Sequence, residues 1–175
     1  SIKGINMADR TFKLYGKAYG TSVSITVNLN STQVFSGTVP SVEAEVDSTI
    51  AWADMDELCS FTASTDISGN TPLTISVSGG DLVYHTLHCN YFGPIGAGET
   101  LETSTVDSYN DVSAWEVDWG TSAGTCGKSN VTIDGIAQDG WEAGYRVYSI
   151  TIHDGSTLAC DTYVSEAVLT DAGYE

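Results

Sequence analysis

Basic residues are scarce in this chain. Six Lys and Arg face 23 Asp and Glu, for a net charge of −17 and a pI near 4.1. Nucleic acid is gripped mainly through Lys and Arg that neutralise its phosphates. A domain this acidic is repelled by such polyanions at long range. DNA, RNA and anionic lipid surfaces are therefore poor partners, while divalent cations and basic protein surfaces are better ones. Acidity also keeps a protein soluble. Charged residues of both signs together make up only 17% of the chain, so Ser, Thr, Asn and Gly must supply the polar surface. That mixture is common in extracellular and virion β proteins.

Other absences narrow the classes further. No apolar run approaches the roughly 20 residues of a membrane-spanning helix. No segment has the basic, apolar and small-residue order of a signal peptide. Met7-Ala8-Asp9-Arg10 reads as a natural start, with residues 1–6 a leader remnant and 7–175 a single domain. On that reading the protein is made in a cytoplasm. The four cysteines, Cys59, Cys89, Cys126 and Cys160, form no CxxC pair. Their wide spacing speaks against a zinc ribbon or a thioredoxin motif. Four cysteines allow three pairings, and the spacing does not choose among them; in a cytoplasm the expectation is free, buried thiols, with Cys126 the most exposed. No phosphate-binding Gly-rich loop and no nucleophile elbow is present.

What is there is alternation. In Ser22 to Asn30, Val23, Ile25, Val27 and Leu29 alternate with polar residues, the pattern of a half-buried antiparallel strand. Thr11 to Tyr19 places Phe12, Leu14 and Ala18 on one face. With Gln33 to Val39 the first forty residues read as a three-strand meander. Thr71 to Ser78 repeats the alternation, and Ser78-Gly79-Gly80-Asp81 signals a hairpin into Leu82 to Tyr91. Val112 to Trp119 reads as a strand with Trp115, Val117 and Trp119 inward. Asn130 to Ala137 reads as a short hairpin around Asp134-Gly135. Tyr145 to His153 and Thr157 to Val164 read as another across Asp154-Gly155-Ser156. Helical signal is confined to one turn near Asp54-Met55-Asp56-Glu57. The fold class expected is all-β, an antiparallel β-sandwich of jelly-roll or Ig-like type, with two long loops near 92–111 and 120–130.

Three constellations carry chemical readings. In Trp115-Glu116-Val117-Asp118-Trp119, strand alternation puts Glu116 and Asp118 on one face, and paired carboxylates on a sheet are what a glycosidase needs. Laminarinase-like glycosidases use Glu-x-Asp-x-x-Glu, but Thr121 stands where the third acid belongs. The competing reading is a solvated face beside buried tryptophans. Asp107, Asn110 and Asp111 form an acidic loop cluster, as do Asp54, Asp56 and Glu57. Calcium takes six to eight such oxygens, so calcium is the cofactor implied; ordinary Asx turns explain the same residues. Trp52, Tyr109, Trp141 and Tyr145 are the aromatics expected to stack on a carbohydrate, against core packing as the plain alternative. His85, His88 and Cys89 look like metal ligands, but strand alternation puts His88 opposite the other two. Asn30-Ser31-Thr32 and Asn130-Val131-Thr132 match the glycosylation sequon and read as polar turns.

Thr11 to Gly20, the strand that follows it, Val34 to Val39, and Gly127 to Gln138 together resemble a group of uncharacterised marine cyanophage proteins. The opening strands are also similar in style to calcium-dependent xylan-binding modules, which are β-sandwiches. The first resemblance implies a non-enzymatic virion structural or decoration protein that contacts other virion proteins or itself. The second implies a carbohydrate-binding module, with host glycans as partners. A glycoside hydrolase using Glu116 and Asp118 is the third reading.

Overall fold

The computed structural model describes residues 8–50, 54–65, 71–90, 116–119, 126–138 and 150–164. They build two β-sheets packed face to face, so the expected all-β sandwich is the architecture found. The first sheet centres on β1 (Ala8–Tyr19) and β7 (Asp81–Asn90). On the far side of β1 lie β4 (Ser41–Val42), parallel to it, and β5 (Asp56–Thr65), antiparallel. On the far side of β7 lie β8 (Glu116–Trp119) and β11 (Ile150–Ile152). The second sheet runs β10 (Ile136–Ala137), β9 (Cys126–Ile133), β12 (Thr157–Val164), β6 (Thr71–Ser78), β2 (Val23–Leu29), β3 (Thr32–Val39).

Alternation sets which residues face the core. Val23, Ile25, Val27 and Leu29 of β2 are buried, as are Leu73, Ile75 and Val77 of β6. They meet Phe12, Leu14 and Ala18 of β1 and Leu82, Tyr84 and Leu87 of β7 from the opposite sheet. Phe12 and Phe61 are register partners in β1 and β5, and their rings stack with centroids 5.3 Å apart. Such close packing of apolar faces is the main source of stability in a two-layer domain.

Two hairpins have the local form their sequence demands. Asn30 and Ser31 both take positive φ, and Leu29 pairs with Thr32 across them. Asp134 and Gly135 also take positive φ, and Ile133 pairs with Ile136. Two consecutive left-handed residues are what a type I′ turn needs to match strand twist. Both hairpins, at Asn30-Ser31 and at Asp134-Gly135, are expected ones.

The other three expected connections differ. β1 and β2 lie in different sheets, so the opening meander does not form; only β2 and β3 pair as neighbours. β6 and β7 likewise lie in different sheets, as do β11 and β12. All three turns are arches that carry the chain from one layer to the other. They sit side by side, because β2, β6 and β12 are neighbours in one sheet and β1, β7 and β11 in the other. Backbone contact drives this arrangement. A Cβ on Gly79 would fall 2.2 Å from the carbonyl oxygen of Ser22, and one on Gly80 2.2 Å from that of Tyr19. Gly155 N–H donates to the Val77 carbonyl at 2.9 Å, and Val77 N–H to the Ser156 carbonyl at 3.1 Å. Two carboxylates finish the end. Asp154 Oδ1 accepts from Gly79 N–H at 3.0 Å, and Asp81 Oδ1 accepts from Asp154 N–H at 2.8 Å.

Two further expectations are corrected. The helical turn expected over Asp54 to Glu57 reaches only Asp54, which is in a 3-10 turn, and β5 runs from Asp56 onward. Cys59, Phe61 and Ala63 alternate there with Ser60, Thr62 and Ser64, a period-2 signal that the acidic start obscures. The loop expected over 120–130 ends earlier, because β9 begins at Cys126. Asn130 lies inside that strand, in a bulge rather than a turn: it takes a positive φ where the pairing of β9 with β12 shifts by one residue.

Cys59 and Cys160 are buried, and neither is joined in a disulfide. Burial, helped by the nearby Glu57 charge, pushes the Cys59 thiol up from 9.0 to about 12. Burial and then Cys160 push the Tyr84 phenol well above its ordinary value. Both groups keep their protons longer in the folded chain than in the unfolded one. Between about pH 9 and 12 the unfolded state therefore binds fewer protons, and stability falls as pH rises. The urea midpoint should drop between about pH 8 and about pH 10.5, and Cys59→Ala should make that drop shallower. An equal slope in the variant would remove Cys59 from the account.

Candidate interaction surface

The structure places the expected site residues unevenly. Trp52, Tyr109, Trp141 and Tyr145, the carbohydrate candidates, lie outside the described residues. So do the calcium candidates Asp107, Asn110 and Asp111. Glu116 and Asp118 lie on β8, at the register positions of Asn90 and His88. Trp119 lies at the register position of Leu87. Trp115 and Thr121 lie outside the described residues.

The reading of His85, His88 and Cys89 by simple alternation is overturned by a bulge. Thr86 pairs with Tyr15 and Tyr84 with Gly16, which leaves His85 as the extra residue between them. A one-residue bulge flips the parity of everything beyond it, so simple alternation does not carry across His85. His85 is buried, at 6% exposure. A second bulge lies across β1 at the same level. Leu14 pairs with Cys59 and Tyr15 with Glu57, leaving Leu58 extra in β5. Leu58 turns into the core beside Gly16, where its Cδ1 would lie 3.1 Å from any added Cβ.

Three surfaces remain for function among the described residues. The first is the outer face of the second sheet. Short polar side chains pair across its strands: Ser24 with Thr38 at 3.4 Å, Thr26 with Ser36 at 3.0 Å, and Ser76 with Thr157 at 2.8 Å. Asn28 Nδ2 donates to Thr74 Oγ1 at 3.2 Å, and Asn130 Nδ2 to Asp161 Oδ2 at 2.9 Å. Each of the first four is a direct cross-strand pair, so the face carries a lattice of hydroxyls and amides over β3, β2, β6 and β12. Alternation, which buries Val and Ile inward, obliges Ser and Thr outward, and β-branched Thr suits the pleated surface.

The second is the outer face of the first sheet, where Lys17 pairs with Asp56 at 3.2 Å and Lys13 with Glu57 at 3.8 Å. The third is the lateral side formed by β3 in one sheet above β5 in the other. Among the described residues, β3 pairs with β2 alone. Thr32 to Val39 contains no charged residue. In sequence, residues 43–57, from the end of β4 into the start of β5, hold Glu43, Glu45, Asp47, Asp54, Asp56 and Glu57 and no Lys or Arg. Hydrogen bonds from the Thr49 hydroxyl and amide hold the Asp47 carboxyl below its ordinary value, so it stays ionised.

The fold defines the class as a two-sheet β-sandwich. Comparison with protein families, with curated proteins and with solved structures finds no match to the chain. Among the described residues, no helix is long and apolar enough to cross a membrane.

Proposed function

We propose that this chain is a non-enzymatic structural or decoration protein of a phage particle, which holds protein surfaces together. The observation that carries the reading is the hydroxyl lattice on the second sheet. A chain of net charge −17 keeps charge off this broad face almost entirely: of the residues in its cross-strand pairs, only Asp161 is charged. Interface centres are depleted in charged side chains because stripping water from a charge is expensive. Hydroxyls and amides exchange water for partner groups at little net cost. The resemblance of the opening strands and of the Gly127 to Gln138 hairpin to cyanophage proteins supplies the setting. Mass spectrometry of purified particles tests it. The chain should be found at a fixed ratio to the major particle proteins through successive gradients. Its loss on purification would overturn the virion reading.

A further inference from the structure

We propose that the open edge of β3 docks an extended, basic segment of a partner protein, which adds a strand to the second sheet. The inference rests on the reading of the chain as a non-enzymatic interaction module and names the chemistry of its partner.

An edge strand presents unpaired backbone N–H and C=O groups, a template for another strand. Proteins that must keep such an edge closed place Lys, Pro or inward charges on it, or shorten it. β3 does none of these over Phe35 to Val39. The strand is eight residues long, and Pro40 follows it rather than interrupting it. One bulge, at Val34, lies between the pairs Val27–Phe35 and Asn28–Gln33, toward the far end. Beyond it the register runs unbroken from Val27–Phe35 to Val23–Val39. Ser36 and Thr38 are exposed, while Phe35 folds back along the strand, its Cζ 3.4 Å from where a Gly37 Cβ would sit. This part of the edge carries no charge, and among the described residues no strand pairs with its outer side.

Charge selects the occupant. The C-terminal half of β3 leads directly into β4 and then into the acidic stretch from Glu43 to Glu57. β4 and β5 both flank β1 on this side, and β5 lies against β3, so the stretch begins and ends on the edge that β3 overlies. Lys17 and Lys13 offset Asp56 and Glu57. Glu43, Glu45, Asp47 and Asp54 are exposed, and among the described residues no basic side chain is paired with any of them. A second copy of the chain would bring a second such stretch and 17 more negative charges to the same edge. An extended segment with Lys or Arg near one end instead gains backbone pairing along Phe35 to Val39 and ion pairs beyond it. Strand addition of this kind takes affinity from the main chain and selectivity from the flanks.

Two labelled peptides of about eight residues, the length of an ordinary strand, test this on the full chain. Both alternate Thr and Val; one ends in Lys-Arg-Lys, the other in Glu-Asp-Glu. Fluorescence anisotropy should show the basic peptide bound at least about tenfold more tightly, with affinity falling as NaCl rises from about 50 to about 300 mM. The double variant Ser36→Lys, Thr38→Lys should lose about tenfold or more in affinity for it, with an unchanged urea midpoint. Glu43→Gln with Glu45→Gln should flatten the salt dependence. Hydrogen exchange should slow at backbone amides of 35–39 when the basic peptide is added. Equal binding of the two peptides, or binding indifferent to the β3 variant, would overturn the proposal. So would dimers seen by sedimentation that the β3 variant dissolves, because the edge then belongs to a second copy. A chain missing from particles that still passes these tests would overturn the virion setting and uphold the docking edge.

Discussion

Gly79→Ala is expected to destabilise the fold by about 2–6 kcal/mol, from about 1–3 for a non-glycine residue held at positive φ and about 1–3 for steric overlap. Both causes are present at this position. Gly79 sits at φ 82°, and its added Cβ would lie 2.2 Å from the Ser22 carbonyl oxygen. That oxygen belongs to the neighbouring arch, so it cannot swing aside as a flexible side chain would. Moving it disturbs the passage from β1 to β2, and with it the seat of Val23 in the core. Gly135→Ala provides the control. Gly135 has nearly the same φ, 81°, but nothing lies within 4 Å of its missing Cβ. It should show the conformational cost alone. The difference between the two urea-unfolding free energies isolates the contact between arches. Equal losses would mean that the three arches do not brace one another.

The same arches mark where the chain's pattern stops being readable. Alternation located β1, β2, β6 and much of β7, because one buried face imposes period 2 on any half-exposed strand. The type I′ turn at Asp134-Gly135 was also legible, since its chemistry is local. The arches were not. Gly79-Gly80 between two alternating strands suits a hairpin and an arch equally, and Val77 and Leu82 point inward in both. What separates the two outcomes is the packing of Gly79 and Gly80 against Ser22 and Tyr19, nearly sixty residues away in sequence. No local signal reports that contact. The bulge at His85 was equally hidden, and it undid the inference about which face His85 and Cys89 share. The open edge of β3 follows from sheet order, which alternation does not specify. The absence of charge from Thr32 to Val39 was visible all along, but it acquires meaning only once that strand is seen to end its sheet among the described residues.

Phe12→Ala should cost about 3–5 kcal/mol, as loss of a large buried aromatic side chain does. Phe12 is 0% exposed and stacked on Phe61, which is 8% exposed, with the ring planes 16° apart. The stack joins β1 to β5, and β1 is the only strand that β5 pairs with among the described residues. The lost area and the cavity left beside Phe61 act together. A double-mutant cycle with Phe61→Leu should return a coupling of about 0.5–1.5 kcal/mol, the part specific to the ring pair. Urea unfolding of the two single variants and the double variant measures it; zero coupling would reduce the pair to plain area burial. The same protein also separates folding from docking. Phe12→Ala acts on the first sheet and leaves the β3 edge intact. Below its unfolding transition it should bind the basic peptide as the parent does. Ser36→Lys with Thr38→Lys should do the reverse, keeping the midpoint and losing the peptide. If Phe12→Ala loses the peptide while still folded, the docking surface includes β5 as well as β3. The acidic flank would then act through the position of β5 beneath the edge.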